Sequence, residues 1–155
     1  MSLVNSKELL SIAKKKKNAV GAFNFTNFEQ LKAIISACVK TKTNCILSTS
    51  ESAIKFMGIK NIVSVVKNEV ENLKQKFALH LDHGKNYEIC KKCIDNGYTS
   101  VMIDASHLPI EENIKLTKKV VNYAKKFNVS VEAELGKLQG VEDNVSSFDS
   151  ILTSP

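Results

Sequence analysis

Residues 77–105 decide the fold, and they read FALHLDHGKNYEICKKCIDNGYTSVMIDA. The stretch opens with an apolar run from Phe77 to Leu79 and closes with a second apolar run from Val101 to Ile103. Between these runs, from Tyr87 to Asn96, apolar residues recur every three or four positions. A short continuous apolar run is typical of a strand buried on both faces, whereas the longer spacing is typical of a helix. The stretch therefore predicts a strand, a helix and a parallel strand.

The same alternation continues along the rest of the chain and predicts a parallel sheet covered by helices. Either a (β/α) barrel or a doubly wound open sheet would fit this pattern. The segment from Gly136 to Pro155 loses the periodicity and is rich in Gly, Asp, Asn and Ser, so we expect a long loop there. The predicted strands are Val20–Phe25, Cys45–Ser50, Phe77–Asp82, Ser100–Ala105 and Ser130–Leu135, and the predicted helices are Ser6–Lys17, Phe28–Thr41, Ile59–Lys76, Tyr87–Asn96 and Ile110–Phe127.

The composition is that of a globular domain and argues against several classes of protein. The chain has 155 residues, of which 43% are hydrophobic and 25% charged. Its apolar runs are far shorter than the roughly 20 residues that cross a bilayer, so no membrane span is expected. No secretory signal is recognised at the start, which favours the cytoplasm. The net charge is +6, but the lysines are spread along the chain, so nucleic acid is not the expected partner.

Two cysteines, Cys90 and Cys93, have the spacing of a redox or zinc-binding pair. A zinc ribbon needs a second close pair, and Cys38 and Cys45 do not provide one. The pair also lies inside a predicted helix, where residues three apart share one face. We therefore expect reduced, buried thiols that belong to the core.

Polar residues cluster where the predicted strands end. In a parallel barrel or open sheet, the carboxyl ends of the strands open on one face, and functional groups gather there. We therefore expect Asp82, His83, Asp104 and Glu134 to converge, each from the end of its strand. The whole set of strand-end residues is Asn24, Ser50, Glu51, Asp82, His83, Asp104, His107, Glu132 and Glu134.

The segment from His80 to Gly84, His-Leu-Asp-His-Gly, is the densest chemical signal in the chain. A neutral imidazole is a favoured zinc ligand, and an adjacent carboxylate can orient it or transfer a proton. Two further carboxylates, Glu132 and Glu134, share one face of a predicted buried strand, which is unfavourable unless they bind a cation or share a proton. His83, Asp104 and Glu134 together offer mixed nitrogen and oxygen ligands for a divalent metal. The alternative is structural, with carboxylates that cap helices or pair with lysines.

Five segments follow one another along the chain: Gly21–Asn24, Ser50–Gly58, Leu79–Gly84, Ser100–His107 and Ser130–Gly136. In this order they resemble the motifs of class II fructose-bisphosphate aldolases. The resemblance implies an eight-stranded (β/α) barrel, of which residues 1–155 form the N-terminal portion and residues 136–155 the loop after the fifth strand. An open edge of such a sheet needs cover from a missing segment, a second copy or a different packing.

The resemblance also implies a metal site and a cofactor. His83 matches a ligand of the catalytic zinc, while Asp104 and Glu134 match carboxylates that hold a second or alternate metal position. The further zinc histidines of the family are not found before Pro155, so we expect this chain alone to have little aldolase activity. The family usually has glycine where Ser52 stands, which leaves the backbone at this position open because serine resists positive φ.

The remaining roles concern the substrate. Asp82 matches the acid that gives a proton to the aldehyde oxygen during condensation, and Glu142 matches the loop glutamate that takes a proton from the ketose carbon. Ser50 matches a residue that contacts the triose, and we expect Asn24 to be a further substrate-binding residue.

The activity that these roles imply is the reversible cleavage of fructose 1,6-bisphosphate, a phosphorylated sugar, to dihydroxyacetone phosphate and glyceraldehyde 3-phosphate in glycolysis. A homo-oligomer is expected. The alternatives are a tagatose-bisphosphate aldolase and a non-catalytic aldolase fragment.

Overall fold

The structure is a computed structural model that describes residues 2–136 in full and the backbone of residues 140–142 and 145–147. Strands and helices alternate through most of it, as the sequence predicts. The strands are β1 (Gly21–Asn24), β2 (Cys45–Thr49), β3 (Phe77–Gly84), β4 (Ser100–Ile103), β5 (Ser130–Ala133), β6 (Gly140–Glu142) and β7 (Val145–Ser147). The helices are α1 (Ser6–Lys16), α2 (Phe28–Thr41), α3 (Glu51–Met57), α4 (Ile59–Val70), α5 (Tyr87–Asn96) and α6 (Ile110–Ala124), and a 3₁₀ turn (Lys125–Phe127) follows α6.

The first five strands form one parallel sheet in the order β1-β2-β3-β4-β5, so each strand pairs with the next one along the chain. A doubly wound sheet reverses its strand order at a switch point, whereas a barrel adds every strand on the same side. The observed order therefore settles the alternative that the sequence leaves open. The fold is part of a (β/α)₈ barrel.

The core lies between the sheet and its helices, and β3 is its centre. Residues Phe77 to Leu81 of β3 are all buried, because β2 and β4 flank the strand and α4 and α5 pack against its layer. The two edge strands differ from the prediction that every strand is buried on both faces. All four residues of β1 are exposed and β5 is exposed at Glu132 and Ala133, since within the described residues each of these strands has a neighbour on one side only.

Four helices differ from the prediction, and two of these differences are small, since α1 ends one residue early and α6 ends three residues early. The helix α3 is missing from the prediction because its seven residues are too few to show a clear period. Ser50 caps it, with a side chain that accepts a hydrogen bond from the Ala53 amide, and Ser52 lies in its first turn without the positive φ of a glycine position. The helix α4 ends at Val70, six residues before its predicted end at Lys76.

The segment predicted as a loop after the fifth strand contains the antiparallel pair β6 and β7. The other residues from 137 onward lie outside the described part of the chain. Among the described residues, no helix is long and apolar enough to cross a membrane. The four cysteines are free and buried, so the burial predicted for Cys90 and Cys93 in α5 is found.

Candidate metal centre

The backbone turns sharply where β3 ends, and this turn places His83. The pairing of β3 with β4 shifts between Leu81 and Gly84, which marks a bulge, and His83 has a φ of 47°. A bulge re-aims the side chains of its strand. Glycine is required next, because a Cβ atom at Gly84 would lie 2.7 Å from Leu81 Cδ2 and 2.8 Å from the Met102 carbonyl oxygen.

The structure brings His83, Asp104 and Glu134 together from the carboxyl ends of β3, β4 and β5. The Nδ1 atom of His83 lies 3.0 Å from Asp104 Oδ2 and 3.6 Å from Glu134 Oε2. One ligand atom of each residue lies within 4.8 Å of the others. The three side chains are half-buried, so they are accessible and partly shielded from water. The predicted convergence of these groups is therefore found, while their roles stay predictions.

Asp104 is held as a carboxylate that faces His83. Its Oδ1 atom accepts hydrogen bonds from the Ser106 amide at 3.1 Å and the Ser106 hydroxyl at 2.7 Å, which leaves Oδ2 for the imidazole. Partial burial opposes ionisation of Asp104, but the hydrogen bonds from Ser106 and His83 outweigh it and lower the pKa of the carboxyl. The alternative of a helix cap does not apply to Asp104, because Pro109 is the N-cap of α6.

Asp82 stands on the other side of the imidazole. Its Oδ1 atom lies 3.9 Å from His83 Nε2, and its Oδ2 atom accepts a hydrogen bond of 2.7 Å from Asn24 Nδ2. Asn24 therefore reaches from the end of β1 to the end of β3. Sequence reasoning places both residues at the site but does not find this contact, because β1 and β3 are separated by β2.

Two other residues at a strand end, Ser50 and Glu51, accept hydrogen bonds from backbone amides, one nearby and one 34 residues away. Ser50 caps α3, and its hydroxyl lies 2.8 Å from the hydroxyl of Ser52. Glu51 accepts a hydrogen bond of 2.8 Å from the amide of Lys85, directly after the bulge. For Glu142 the structure describes the backbone in β6, and the side chain lies outside the described residues, so its role stays a prediction.

His80 is buried beside the centre and belongs to a polar network. Its Nδ1 atom lies 2.8 Å from the Ser100 hydroxyl, which lies 3.0 Å from that of Ser6, and its Nε2 atom lies 3.6 Å from Glu132 Oε2. Burial lowers the pKa of His80 to about 4, against an opposing effect of the Asp82 charge. The imidazole is therefore neutral at pH 7.

Glu132 and Glu134 do not form the buried pair that the sequence predicts. Glu132 has a side chain 60% exposed and faces His80, whereas Glu134 lies beyond the end of the strand and faces His83. The edge position of β5 explains the exposure. Burial of part of the side chain still raises the pKa of Glu132, with a further contribution from the charge of Asp82.

Asn113 is a residue of this region that sequence reasoning does not find. It lies on α6, is 4% exposed, and contacts the backbone of both Ala105 and Glu134. A signal exists in the sequence, because Asn113 stands three residues from both Ile110 and Leu116 and so occupies an apolar position of an amphipathic helix. A polar residue at such a position needs buried hydrogen-bond partners.

A partial (β/α)₈ barrel with imidazole and carboxylate groups at the carboxyl ends of its strands is an arrangement found in metal-assisted barrel enzymes. The family model described as "Fructose-bisphosphate aldolase class-II" matches residues 4–155, so the chain belongs to this family. The resemblance drawn from the five motifs is thereby confirmed. The class II aldolases are metal-dependent.

Curated relatives carry the same name. The chain is 50% identical over 156 residues to the fructose-bisphosphate aldolase of Helicobacter pylori, a match that covers 99% of this chain and 51% of that protein. It is 49% identical over 158 residues to that of Geobacillus stearothermophilus, covering 100% and 55% of the two chains. The chain thus spans about half the length of the curated relatives it matches.

Solved structures agree on the fold. A putative fructose-1,6-bisphosphate aldolase from Coccidioides immitis superposes with a TM-score of 0.87 at 30% identity, over 97% of this chain and 54% of that one. The YdjI aldolase of Escherichia coli K12 superposes with a TM-score of 0.81 at 30% identity, over 86% of this chain and 52% of that one.

Proposed function

We propose that this chain serves the reversible cleavage of fructose 1,6-bisphosphate to dihydroxyacetone phosphate and glyceraldehyde 3-phosphate in glycolysis, with zinc as the metal. The observation that carries the proposal is the convergence of His83, Asp104 and Glu134 at the carboxyl face of a barrel in a class II aldolase chain. A phosphorylated sugar is then the substrate. A homo-oligomeric state and a cytoplasmic location stay predictions.

The donor set fits zinc. His83 would supply an imidazole nitrogen, and Asp104 and Glu134 would supply carboxylate oxygens, which are common zinc ligands. The ionisation state of Asp104 also fits, because the hydrogen bonds from Ser106 favour the ionised carboxylate that binds a cation. When bound, the ion would supply Lewis-acid stabilisation of negative charge that develops on a carbonyl oxygen.

Asp82 is the proposed proton donor. Asn24 binds one of its oxygens, so the carboxyl has a fixed orientation beside His83. In the condensation direction Asp82 gives a proton to the aldehyde oxygen, and in cleavage it takes the proton back from the corresponding hydroxyl. Glu142 is the proposed base at the ketose carbon, and Ser50 and Asn24 are proposed substrate contacts.

The test has two parts, because the curated relatives are about twice as long as this chain. Zinc binding is measured on the chain itself by competition with a chromophoric chelator. Cleavage of fructose 1,6-bisphosphate is measured on the chain and on a chimera in which the remaining half of the Geobacillus stearothermophilus relative follows it, with tagatose 1,6-bisphosphate in parallel. The control chimera joins the matching segment of the Helicobacter pylori relative to the same second half.

We expect one zinc ion per chain, and turnover by the chimera that His83→Ala abolishes. The chain alone should turn over slowly or not at all. A control chimera that is active beside an inactive chimera of this chain would refute the proposed function. If the chimera prefers tagatose 1,6-bisphosphate, that sugar becomes the proposed substrate, and the proposed reaction, aldol cleavage, is unchanged.

A further inference from the structure

Asn113 ties together the ends of two strands through a single amide group. Its Nδ2 atom donates one hydrogen bond to the carbonyl of Ala105 at 3.0 Å and one to the carbonyl of Glu134 at 2.9 Å. Its Oδ1 atom accepts a hydrogen bond of 3.1 Å from the Thr117 hydroxyl, one turn further along α6. Carbonyl oxygens can only accept, so these partners fix which end of the amide carries the hydrogens.

These contacts lie beyond the pairing of β4 with β5. The last paired residues of these two strands are Ile103 and Ala133, so the segments that follow are no longer paired with each other, although the Asp104 amide still donates a hydrogen bond of 2.9 Å to the Gly84 carbonyl of β3. Ala105 comes directly after Asp104, and Glu134 is itself a proposed ligand. The spacing of the two carboxylates is therefore set beyond the ladder, and the amide of Asn113 spans this gap.

We infer that Asn113 is the positioning residue of the metal centre: it fixes the separation between Asp104 and Glu134 so that both carboxylates reach His83. This inference rests on the proposed metal site. Asn113 is neither a ligand nor a substrate contact, and it acts through the backbone of the residues that it joins. Outer partners that orient ligands typically change metal affinity by about 10- to 100-fold when they are removed.

The loss of a buried amide also destabilises a fold, so the test must separate position from stability. Asn113→Asp keeps the acceptor for Thr117 and removes both donors, while Asn113→Ala removes the whole amide. The matched control is Tyr98→Phe, which removes the buried hydrogen bond of 2.7 Å between the Tyr98 and Thr49 hydroxyls, away from α6. Zinc affinity by chelator competition and the urea unfolding curve of the metal-free chain are measured for each variant.

We expect zinc affinity to fall at least about tenfold in both Asn113 variants and to stay unchanged in Tyr98→Phe, although all three lose stability. Unchanged zinc affinity in folded Asn113 variants would overturn the inference and leave Asn113 a structural residue. If these variants do not fold, Thr117→Val decides, since it removes only the anchor of the amide. A loss of zinc affinity in Thr117→Val, even one smaller than the loss expected for the Asn113 variants, supports the inference. An unchanged zinc affinity in Thr117→Val overturns it.

A wild-type chain that binds no zinc would refute a zinc site built from His83, Asp104 and Glu134 alone, and the inference is then decided on metal-free crystals. A wider separation of the Asp104 and Glu134 carboxylates in Thr117→Val than in the wild type supports the positioning role. An unchanged separation overturns it.

Discussion

The Nδ1 atom of His83 lies 3.0 Å from the Oδ2 atom of Asp104, although the two residues are 21 positions apart and end different strands. The contact depends on the bulge of β3, which turns His83 out of the strand with a φ of 47°. The same imidazole lies 3.6 Å from Glu134 Oε2. His83 thus lies close to both of the other proposed ligands.

Because the His83 imidazole lies close to both carboxylates, we expect His83→Ala to remove most of the zinc affinity. A zinc site needs at least three protein ligands, and two carboxylates without the imidazole would bind the ion weakly. We expect a loss of more than about 100-fold, beyond the effect of outer partners. The control is His107→Ala, because His107 is exposed in the turn before α6. Equal zinc affinity for both variants, measured by chelator competition, would contradict the assignment.

Gly84→Ala tests whether the bulge builds the site. The added Cβ atom would meet the Met102 carbonyl oxygen at 2.8 Å, and backbone cannot move aside as a side chain can. We expect a loss of about 1–3 kcal/mol in the free energy of unfolding, together with weaker zinc binding. Gly21→Ala is the matched control, because its Cβ would meet only the half-exposed ring of Phe23. A larger effect at Gly21 than at Gly84 in urea unfolding would count against this explanation.

The low pKa of His80 in the folded chain predicts that the free energy of unfolding depends on pH. Its pKa is about 4 in the folded chain, against about 6.5 in an unfolded chain. Between these values the unfolded state binds the extra proton, so stability is complete above pH 6.5 and falls as the pH drops toward 4. The loss over this range is about 3 kcal/mol.

The measurement is the urea unfolding free energy of the wild type and of His80→Gln from pH 8 to pH 4. Carboxylates titrate in both proteins below about pH 5, so the difference between the two curves isolates the histidine. The wild type should lose more stability than the variant between pH 6.5 and pH 5. Parallel curves would mean that His80 is not held neutral by its burial.

Much of the fold can be predicted from the sequence, because a strand buried on both faces leaves a continuous apolar run. Phe77 to Leu81 and Val101 to Ile103 are such runs, and they form the buried centre of the sheet. The edges are harder to predict, since β1 is largely apolar and yet all four of its residues are exposed within the described part of the chain. Exposure at an edge depends on which neighbours a strand has, and a local pattern does not contain that information.

The candidate metal centre likewise has features that the sequence predicts and features that it does not. Residues at the ends of strands are predicted to share one face, and His83, Asp104 and Glu134 do so. The contacts that orient them come from elsewhere in the chain, as Asn113 shows by reaching Glu134 from α6. The bulge at His83 is likewise a property of the register between β3 and β4. Spacing along the sequence predicts which groups meet, but not what holds them in place.

Because the cysteine thiols are buried, we expect them to react slowly with thiol-specific reagents. Burial raises the pKa of Cys90 to about 12, with a further contribution from the charge of Glu51, and burial also raises the pKa values of Cys45 and Cys93. The reactive thiolate is therefore scarce at pH 8. We expect a thiol-specific reagent to leave Cys45, Cys90 and Cys93 unmodified in the folded chain and to label all four cysteines in urea. Rapid labelling of Cys90 or Cys93 in the folded chain, read by mass spectrometry, would indicate that α5 opens.

The contact between Asn24 and Asp82 separates two possible roles of the asparagine. Asn24→Ala removes the hydrogen bond of 2.7 Å that orients the Asp82 carboxyl. If Asn24 acts by orienting the proton donor, kcat of the chimera falls at least about tenfold, because a misplaced catalytic group loses rate without weakening substrate binding. If Asn24 acts mainly as a substrate contact, KM rises and kcat changes little.

We expect the fall in kcat, with the zinc affinity unchanged, because the recorded contact of Asn24 is to Asp82 and not to a proposed ligand. The control is Asn27→Ala, which removes an asparagine three residues away that caps α2. This control should lose about 1 kcal/mol of stability and keep its kinetic constants. Asn24→Asp adds a stricter check, since it places a carboxylate against that of Asp82, and the repulsion should reduce kcat further than alanine does. A rise in KM alone for Asn24→Ala, or equal kinetic effects of Asn24→Ala and Asn27→Ala, would contradict the orienting role.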